Sequence, residues 1–557
     1  MYASEGIERR QEGIRQTALP FDLIVVGGGC NGSGTAWDAA LRGLRVLLLE
    51  KADFGWATSA WNSRLIHGGL KYLEKFDVRL VRESLREREW MLHAAPHLVR
   101  PLQFVLPFYE RNAYPASVMR LGMIAYDALS WDKSTPRHGI HDRSGALELV
   151  PGLDTDGLKG AATYFDLQVE YAERLSVETA LAAQAAGAVV LNHANVEELL
   201  VENGAVVGVV FTDAVTGSRY VARAANVVNS AGPWVDEVLG TIGDGAHRPL
   251  MGGTKGTHLI VDPFPGAPVD SAMYYQAVTD ARPMMVIPWL GRYIIGATDV
   301  RFNGDLDTAT SDQDERDYIL RETNLLFPCA ELTSDDILWG YTGVRPLPYK
   351  AEGPTGDITR RHVIHHHSDD ETPVRGLYSV IGGKLTTYRS LAEDVVDDVI
   401  GRGRRGRWAR AGSRCTTRSS RLPGAQVRDF SAFEREFVAG SDFPEFVSRR
   451  LVKLYGTRAV AVRALATAEA GLDGLIDEQS GLIAAEVAFA LRFESAITLA
   501  DIIARRVMTG LDASMGRDSL DAVCEVTARL AVWSDGRLAD EKAAYLSYLT
   551  KFHPRGR

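Results

Sequence analysis

Hydrophobic and polar positions divide the chain sharply. Residues 1–16, MYASEGIERRQEGIRQ, are charged and lack an apolar core, which reads as no signal peptide. Residues 21–27, FDLIVVG, then form a short apolar run suited to a buried parallel strand. The small residues of 32–42 predict a helix, and 44–49 (LRVLLL) a second buried strand closed by Glu50. Two later stretches repeat the strand-and-turn pattern. Residues 226–234, NVVNSAGPW, are an apolar strand ending in Ala231-Gly232-Pro233, and 376–389, GLYSVIGGKLTTYR, run from a strand through Gly382-Gly383 into a helix start. Beyond about 422 the apolar spacing becomes helical, most regularly over 484–508, and predicts a small bundle. No apolar stretch approaches the roughly 18 residues of a spanning helix.

The first strand and helix are joined by Gly27-Gly28-Gly29-Cys30-Asn31-Gly32, which fits G-x-G-x-x-G, and an acid, Glu50, follows 18 residues after the last glycine. Each part has a task in binding a dinucleotide. Gly27 permits the tight turn, Gly29 lets backbone amides approach a pyrophosphate, and Gly32 brings helix and strand close. The helix N-terminus favours phosphate charge, and Glu50 can accept from ribose hydroxyls. The motif does not choose between NAD and FAD. Its place near the start of a long chain favours FAD, which later segments must enclose.

Composition narrows the classes further. The chain has 557 residues, 46% apolar and 24% charged, which predicts several folded domains and excludes a disordered or fibrous chain. A net charge of −10 argues against a nucleic-acid partner. Cys30, Cys329, Cys415 and Cys524 show no C-x-x-C pairing, hence no disulfide framework or zinc motif, and suit a reducing compartment. His362, His365, His366 and His367 raise a metal reading. With no second ligand cluster beside them, a solvated hairpin and no metal is the expectation.

Longer segments carry a resemblance. Residues 22–74, with HGGLKYLE at 67–74, resemble the aerobic, FAD-dependent glycerol-3-phosphate dehydrogenase family, as do 86–101, 227–236 (VVNSAGPWVD), 255–261 (KGTHLIV), 287–300, 341–347 (YTGVRPL) and 382–394 (GGKLTTYRSLAED). The order and spacing hold over about 20–400, and 491–506 carries it into the C-terminal part. The resemblance implies oxidation of sn-glycerol 3-phosphate to dihydroxyacetone phosphate on FAD, with electrons passed to a membrane quinone. Two alternatives stay open: an oxygen-dependent glycerol-3-phosphate oxidase, and an amine or amino-acid oxidase of the same fold. The implied fold is α/β, a Rossmann-like FAD-binding domain with a mixed-sheet substrate domain as in glycine and D-amino-acid oxidases, followed by a helical domain. Expected boundaries are 20–100 with 160–245 and 340–400 for the FAD-binding domain, 101–159 with 246–339 for the substrate domain, 401–421 for a linker and 422–557 for the helical domain.

The same resemblance assigns residues. A phosphate calls for fixed cations: Arg345 matches the family's active-site arginine, Arg389 is a second candidate, and Lys384 matches a family lysine near substrate and flavin. Lys384 near the flavin would stabilise charge on the reduced ring. Lys71 stands where the family has arginine, so charge is kept and the planar two-pronged donor is lost; Tyr72 beside it can donate a hydroxyl. His258 and His67 are the candidate proton acceptors. Thr298 is expected to bond substrate, and Asp299 to orient a base or an arginine. Cofactor contacts are expected at Gly27, Gly29, Asn31, Gly32, Glu50, Lys51, Ser59, Ser63, His67, Gly68, Val196, Ala231, Gly232, Gly383, Lys384, Leu385 and Thr386.

Residues 401–421 hold eight arginines and no acid, with four glycines against a stable helix. They read as a flexible linker or as a basic segment that meets anionic lipid, with Trp408 entering the interface. The expected setting is the cytoplasm, peripheral on the inner face of the cytoplasmic membrane, as a homodimer.

Overall fold

A computed structural model describes residues 4–75, 77–242, 248–403, 414–530 and 533–553. Two sheets organise the body. The first has the order Val363–His366, Leu377–Ile381, Ser218–Asn229, Phe21–Val26, Val46–Leu49, Val189–Leu191. From Leu377–Ile381 to Val189–Leu191 every pairing is parallel. Phe21–Val26 and Val46–Leu49 are buried along almost their whole length, which is why they read as continuous apolar runs rather than alternating ones. The crossover between them is the helix Cys30–Leu41, beginning two residues before the position expected from composition.

The second sheet is mostly antiparallel and contains Thr254–Val261, Arg292–Gly296, Pro283–Trp289, Ser271–Gln276, Val99–Tyr109 and Leu158–Val169 in spatial order. Leu158–Val169 pairs with Val99–Tyr109 along its full length, and Ile337–Arg345 pairs with Thr254–Val261. Both fall in segments expected in the nucleotide-binding body, so sheet membership crosses the expected boundaries near 160 and 340. The cause is long-range backbone pairing, which apolar pattern alone does not reveal.

The C-terminal part is helical: Phe430–Ala439, Glu445–Tyr455, Ala459–Ala468, Ala484–Phe493, Arg517–Arg529 and Asp535–Leu549. A short hairpin, Leu475–Asp477 with Leu482–Ile483, interrupts it. The stretch 484–508, whose apolar spacing reads as helical, is not one continuous helix. Its first helix stops at Phe493, Ser495 takes φ +56°, and Thr498 caps a new start at Leu499. The polar N-terminus is also a helix, Ser4–Gln16. Arg10 anchors it, donating to the Asn192 carbonyl at 2.7 Å and to Asp213 at 2.5 Å. Residues 404–413 of the arginine-rich segment, including Trp408, lie outside the described residues.

Candidate active site

A cavity of about 970 Å³ runs from the dinucleotide turn to the inner face of the second sheet. At one end lie Gly27, Gly29, Cys30 and Asn31. Gly27 adopts φ +103°, and a Cβ there would meet the Ser230 carbonyl oxygen at 2.5 Å. At Gly32 a Cβ would fall 1.9 Å from the Gly27 carbonyl oxygen, so this glycine serves the close turn from behind rather than lining the cavity. Gly29 caps the helix with no side-chain hydrogen bond, leaving first-turn amides for a phosphate. Ser59 accepts from the Cys30 amide at 3.0 Å.

Glu50 accepts from the Gly28 amide at 2.6 Å, the Ala52 amide at 2.8 Å and the Trp56 indole at 3.0 Å. Burial pushes its carboxyl above the usual carboxylate range, with those three donors opposing. Lys51 pairs with Asp307 at 2.6 Å and lies over the Trp234 ring at 4.3 Å. Val196, Ala231 and Gly232 complete this end. A long cradle closed to side chains at its glycines, with a buried acid one strand away, fits the FAD of the sequence reading.

At the other end the cavity is cationic. Arg345 donates to Asp299 at 3.1 Å and to the Thr298 carbonyl at 3.0 Å. Arg360 reaches the other oxygen of Asp299 at 3.3 Å, so one carboxylate aligns two guanidiniums. Burial draws the Arg345 guanidinium down to about 10, against the pull of Asp299, with Arg360 and Arg282 adding to the fall. Lys384 donates to Ser84 at 2.6 Å and lies 4.7 Å over the Tyr72 ring. Burial lowers its ammonium to about 8, opposed by Glu83 and Asp77. Two arginines and a lysine on one wall are suited to a doubly charged oxyanion. Arg282 and Arg360 were missed in the sequence, because both sit in polar turns with no periodic signal.

Several expected residues stand elsewhere. Arg389 is not at the cavity: its guanidinium is spent on Glu87 at 2.6 and 2.7 Å and on Glu393 at 2.8 Å. Thr298 borders the cavity, yet its hydroxyl donates to Glu315 at 2.6 Å and accepts from the Thr257 amide at 2.9 Å, so only its carbonyl serves the site. Gly68 gives its amide to Asp166 at 3.0 Å and packs under Tyr126, where a Cβ would fall 2.1 Å from the phenol oxygen. The Lys71 side chain lies outside the described residues. Asn31, Gly383, Leu385 and Thr386 line the wall, with Asn31 donating to the Gly382 carbonyl at 3.3 Å and Thr386 to the His67 carbonyl at 3.3 Å.

The two histidines differ in access. His67 lines the cavity, and burial lowers its imidazole to about 4, with Lys384 adding to the effect. His258 sits one side chain behind the wall. Its Nε2 is 2.8 Å from Ser63 Oγ, which does line the cavity, and its ring stacks on Tyr341 at 5.0 Å. Burial lowers it to about 3, aided by Arg345. Both rings are neutral at physiological pH, so each presents a lone pair, and burial makes that lone pair a weak base.

The histidine run is not simply solvated. His362 pairs with Asp394, His366 with Asp398, and His365 and His367 both with Asp370.

A glycine-rich turn opening a parallel sheet, facing a cationic pocket under a second, mostly antiparallel sheet, defines a flavin-dependent oxidoreductase. Residues 22–389 match the family described as "FAD dependent oxidoreductase", and 415–538 match the "C-terminal domain of alpha-glycerophosphate oxidase". The glycerol-3-phosphate dehydrogenase of Synechocystis sp. is 44% identical over 96% of this chain and 97% of its own. The crystal structure of the glycerol-3-phosphate dehydrogenase from Bacillus halodurans complexed with FAD superposes with TM-score 0.80 at 29% identity, covering 99% of this chain and 98% of that one. Glycine oxidase from Geobacillus kaustophilus shares the fold, with TM-score 0.51 at 20% identity over 70% of this chain and 97% of its own. The chain belongs to the FAD-dependent glycerol-3-phosphate dehydrogenase family.

Proposed function

We propose that this protein oxidises sn-glycerol 3-phosphate to dihydroxyacetone phosphate. The observation that carries the reading is the trio Arg345, Arg360 and Lys384 on the cavity that begins at the dinucleotide turn. FAD, which Gly27, Gly29, Asn31 and Glu50 would hold along the cavity, would supply the hydride acceptor for oxidation at C2 of the substrate. The chain's own residues supply the rest. Arg345 and Arg360, aligned by Asp299, hold the phosphate, and that binding energy fixes the carbon skeleton. Ser63 takes the hydroxyl proton and passes its own to His258 Nε2. A single carboxylate, as in an amino-acid substrate, would leave part of this positive charge unmatched. Anaerobic mixing with glycerol 3-phosphate should bleach the flavin absorbance, whereas an unbleached flavin rejects the assignment.

The electron acceptor in this proposal is a quinone reached at a membrane surface. Among the described residues no helix is long and apolar enough to cross a bilayer. Support for surface attachment comes from the helix Ala116–Leu129. It buries Met123 and Tyr126 inward, yet presents Val118, Leu121 (66% exposed) and Ile124 (56%) outward, with Trp131 (78%) just beyond. An outward apolar stripe ending in tryptophan and carrying Arg120 suits an interfacial position on anionic lipid. Quinone reduction on lipid vesicles, compared with peroxide formation in air, separates this reading from an oxygen-dependent oxidase.

A further inference from the structure

Two clusters outside the active site bring His and Asp ligand atoms within 4.8 Å of one another. In the first, Asp53, His193 and Asp501, Asp53 is already held by Arg505 at 2.6 Å and Arg506 at 2.7 Å, so a cation there would meet two guanidiniums. The second is free of that objection. It lies where the edge strand Val363–His366 of the nucleotide sheet turns into the short 3-10 helix His367–Asp369.

We propose that His365, His367 and Asp370 form a binding site for a divalent transition metal of the Zn²⁺ and Co²⁺ class. His365 Nε2 and His367 Nδ1 each lie 2.8 Å from a different oxygen of Asp370, so three donors converge on one small volume. Two imidazoles and a carboxylate are the donor set such ions take, rather than Mg²⁺ or Ca²⁺, which want oxygen throughout. The His367 ring is oriented from behind: its Nε2 is 2.8 Å from the Oγ of Ser379, a fully buried residue on the neighbouring strand. That contact from behind fixes the ring so that Nδ1 points at Asp370, the kind of support that metal-binding histidines use to set ring angle. His365 and Asp370 are only partly buried, which leaves an entry path and room for water as a fourth ligand. None of the three lines the flavin cavity. The site would therefore act as a fastener. It closes the hairpin that begins just after Thr359 and Arg360 on the cavity wall and lies against the strand leading to Gly382 and Lys384.

The test uses the full-length, FAD-loaded protein with any affinity tag removed, stripped with EDTA and desalted. Co²⁺ is titrated and followed by its visible ligand-field absorption, and Zn²⁺ by calorimetry and as a competitor. The expected result is one saturable equivalent, displaced by Zn²⁺, weakened at least about 10-fold in His365→Ala and Asp370→Asn, and unchanged in His366→Ala. Asp370→Asn keeps a hydrogen-bonding group of the same shape, and equal melting of the metal-free proteins shows that folding is intact. Absence of saturable binding overturns the proposal, and so does binding that survives both ligand variants unaltered. Flavin reduction is not part of the readout, so failure here leaves the proposed activity untouched.

Discussion

Replacing Arg360 with alanine tests the phosphate end of the site most directly. Arg360 reaches Asp299 at 3.3 Å with its side chain 20% exposed, and Arg345 holds the other carboxylate oxygen at 3.1 Å. Removing Arg360 therefore leaves Asp299 paired, and no buried charge is orphaned. What is lost is one charge-assisted contact to the phosphate, worth about 1.5–3 kcal/mol when desolvated. Residual solvent at Arg360 favours the lower half of that range, about 1.5–2 kcal/mol. At about 1.4 kcal/mol per decade this is a roughly 10- to 30-fold fall in kcat/KM. The assay is anaerobic stopped-flow reduction of the flavin with glycerol 3-phosphate, with glycerol as the phosphate-free control. The loss should appear with the first substrate and not with the second, and Arg360→Lys should recover part of it. Equal losses on both substrates, or no loss on glycerol 3-phosphate, would refute a phosphate role for Arg360.

Three further outcomes follow from the geometry. Lys384 is charged below about 8, so kcat/KM for the anionic substrate should fall as pH rises through that value; Lys384→Arg should remove this limb, and a profile identical to the parent's argues against the assignment. Ser63→Ala breaks the link to His258 and should slow flavin reduction by about 10²- to 10⁴-fold at saturating substrate, whereas an unchanged rate would leave His67 as the proton acceptor. Leu121→Glu with Ile124→Glu should abolish flotation with anionic vesicles while turnover with a soluble dye stays at the parent level; flotation that persists removes this helix from the membrane surface.

The parts of the site legible in the sequence are those whose constraint is local. The strand, glycine turn, helix, strand and acid of residues 21–50 are contiguous, so steric need and apolar pattern point to one arrangement. Arg345 and Lys384 stand in motifs specific enough to carry the resemblance. Arg389, two turns of text away from Lys384, looked equivalent, but its fate is set by Glu87, 302 residues earlier in the chain. Arg360 was hidden for the converse reason: its loop carries no motif, and the carboxylate that aligns it, Asp299, stands 61 residues earlier in the chain. The break after Phe493 was invisible because apolar spacing continues across it, while a positive φ at Ser495 and the cap at Thr498 redirect the backbone. The N-terminal helix lacks a strong apolar stripe and is fastened by specific polar contacts instead, which pattern reading does not see.

The helical domain is part of the nucleotide site rather than an appendage to it. Asp53 stands three residues after Glu50, in the loop that also supplies Trp56 to the cavity and whose Gly55 amide bonds the Gly28 carbonyl at 3.2 Å. Its carboxylate is fixed by Arg505 and by both terminal nitrogens of Arg506, at 2.6–2.9 Å, with Asn192 on the remaining side at 2.9 Å. Burial alone would raise its carboxyl, yet the two guanidiniums hold it below the usual range. A second tie has the same form: Arg174, on a helix packed beneath the nucleotide sheet, is bidentate to Glu494 at 2.6 and 2.8 Å. Cutting the chain before residue 422 would leave Asp53 without either arginine and Arg174 with only Glu178 at 3.9 Å. Replacing Glu494 alone with alanine strips that partner from Arg174 while the helical domain still covers it, and a buried charge left this way costs about 3–5 kcal/mol, comparable with the whole margin by which a domain is stable. The loop that shapes the Glu50 end of the cavity is thus held in place from the far side by Arg505 and Arg506, and folding of the nucleotide body and of the helical domain is coupled through those two residues.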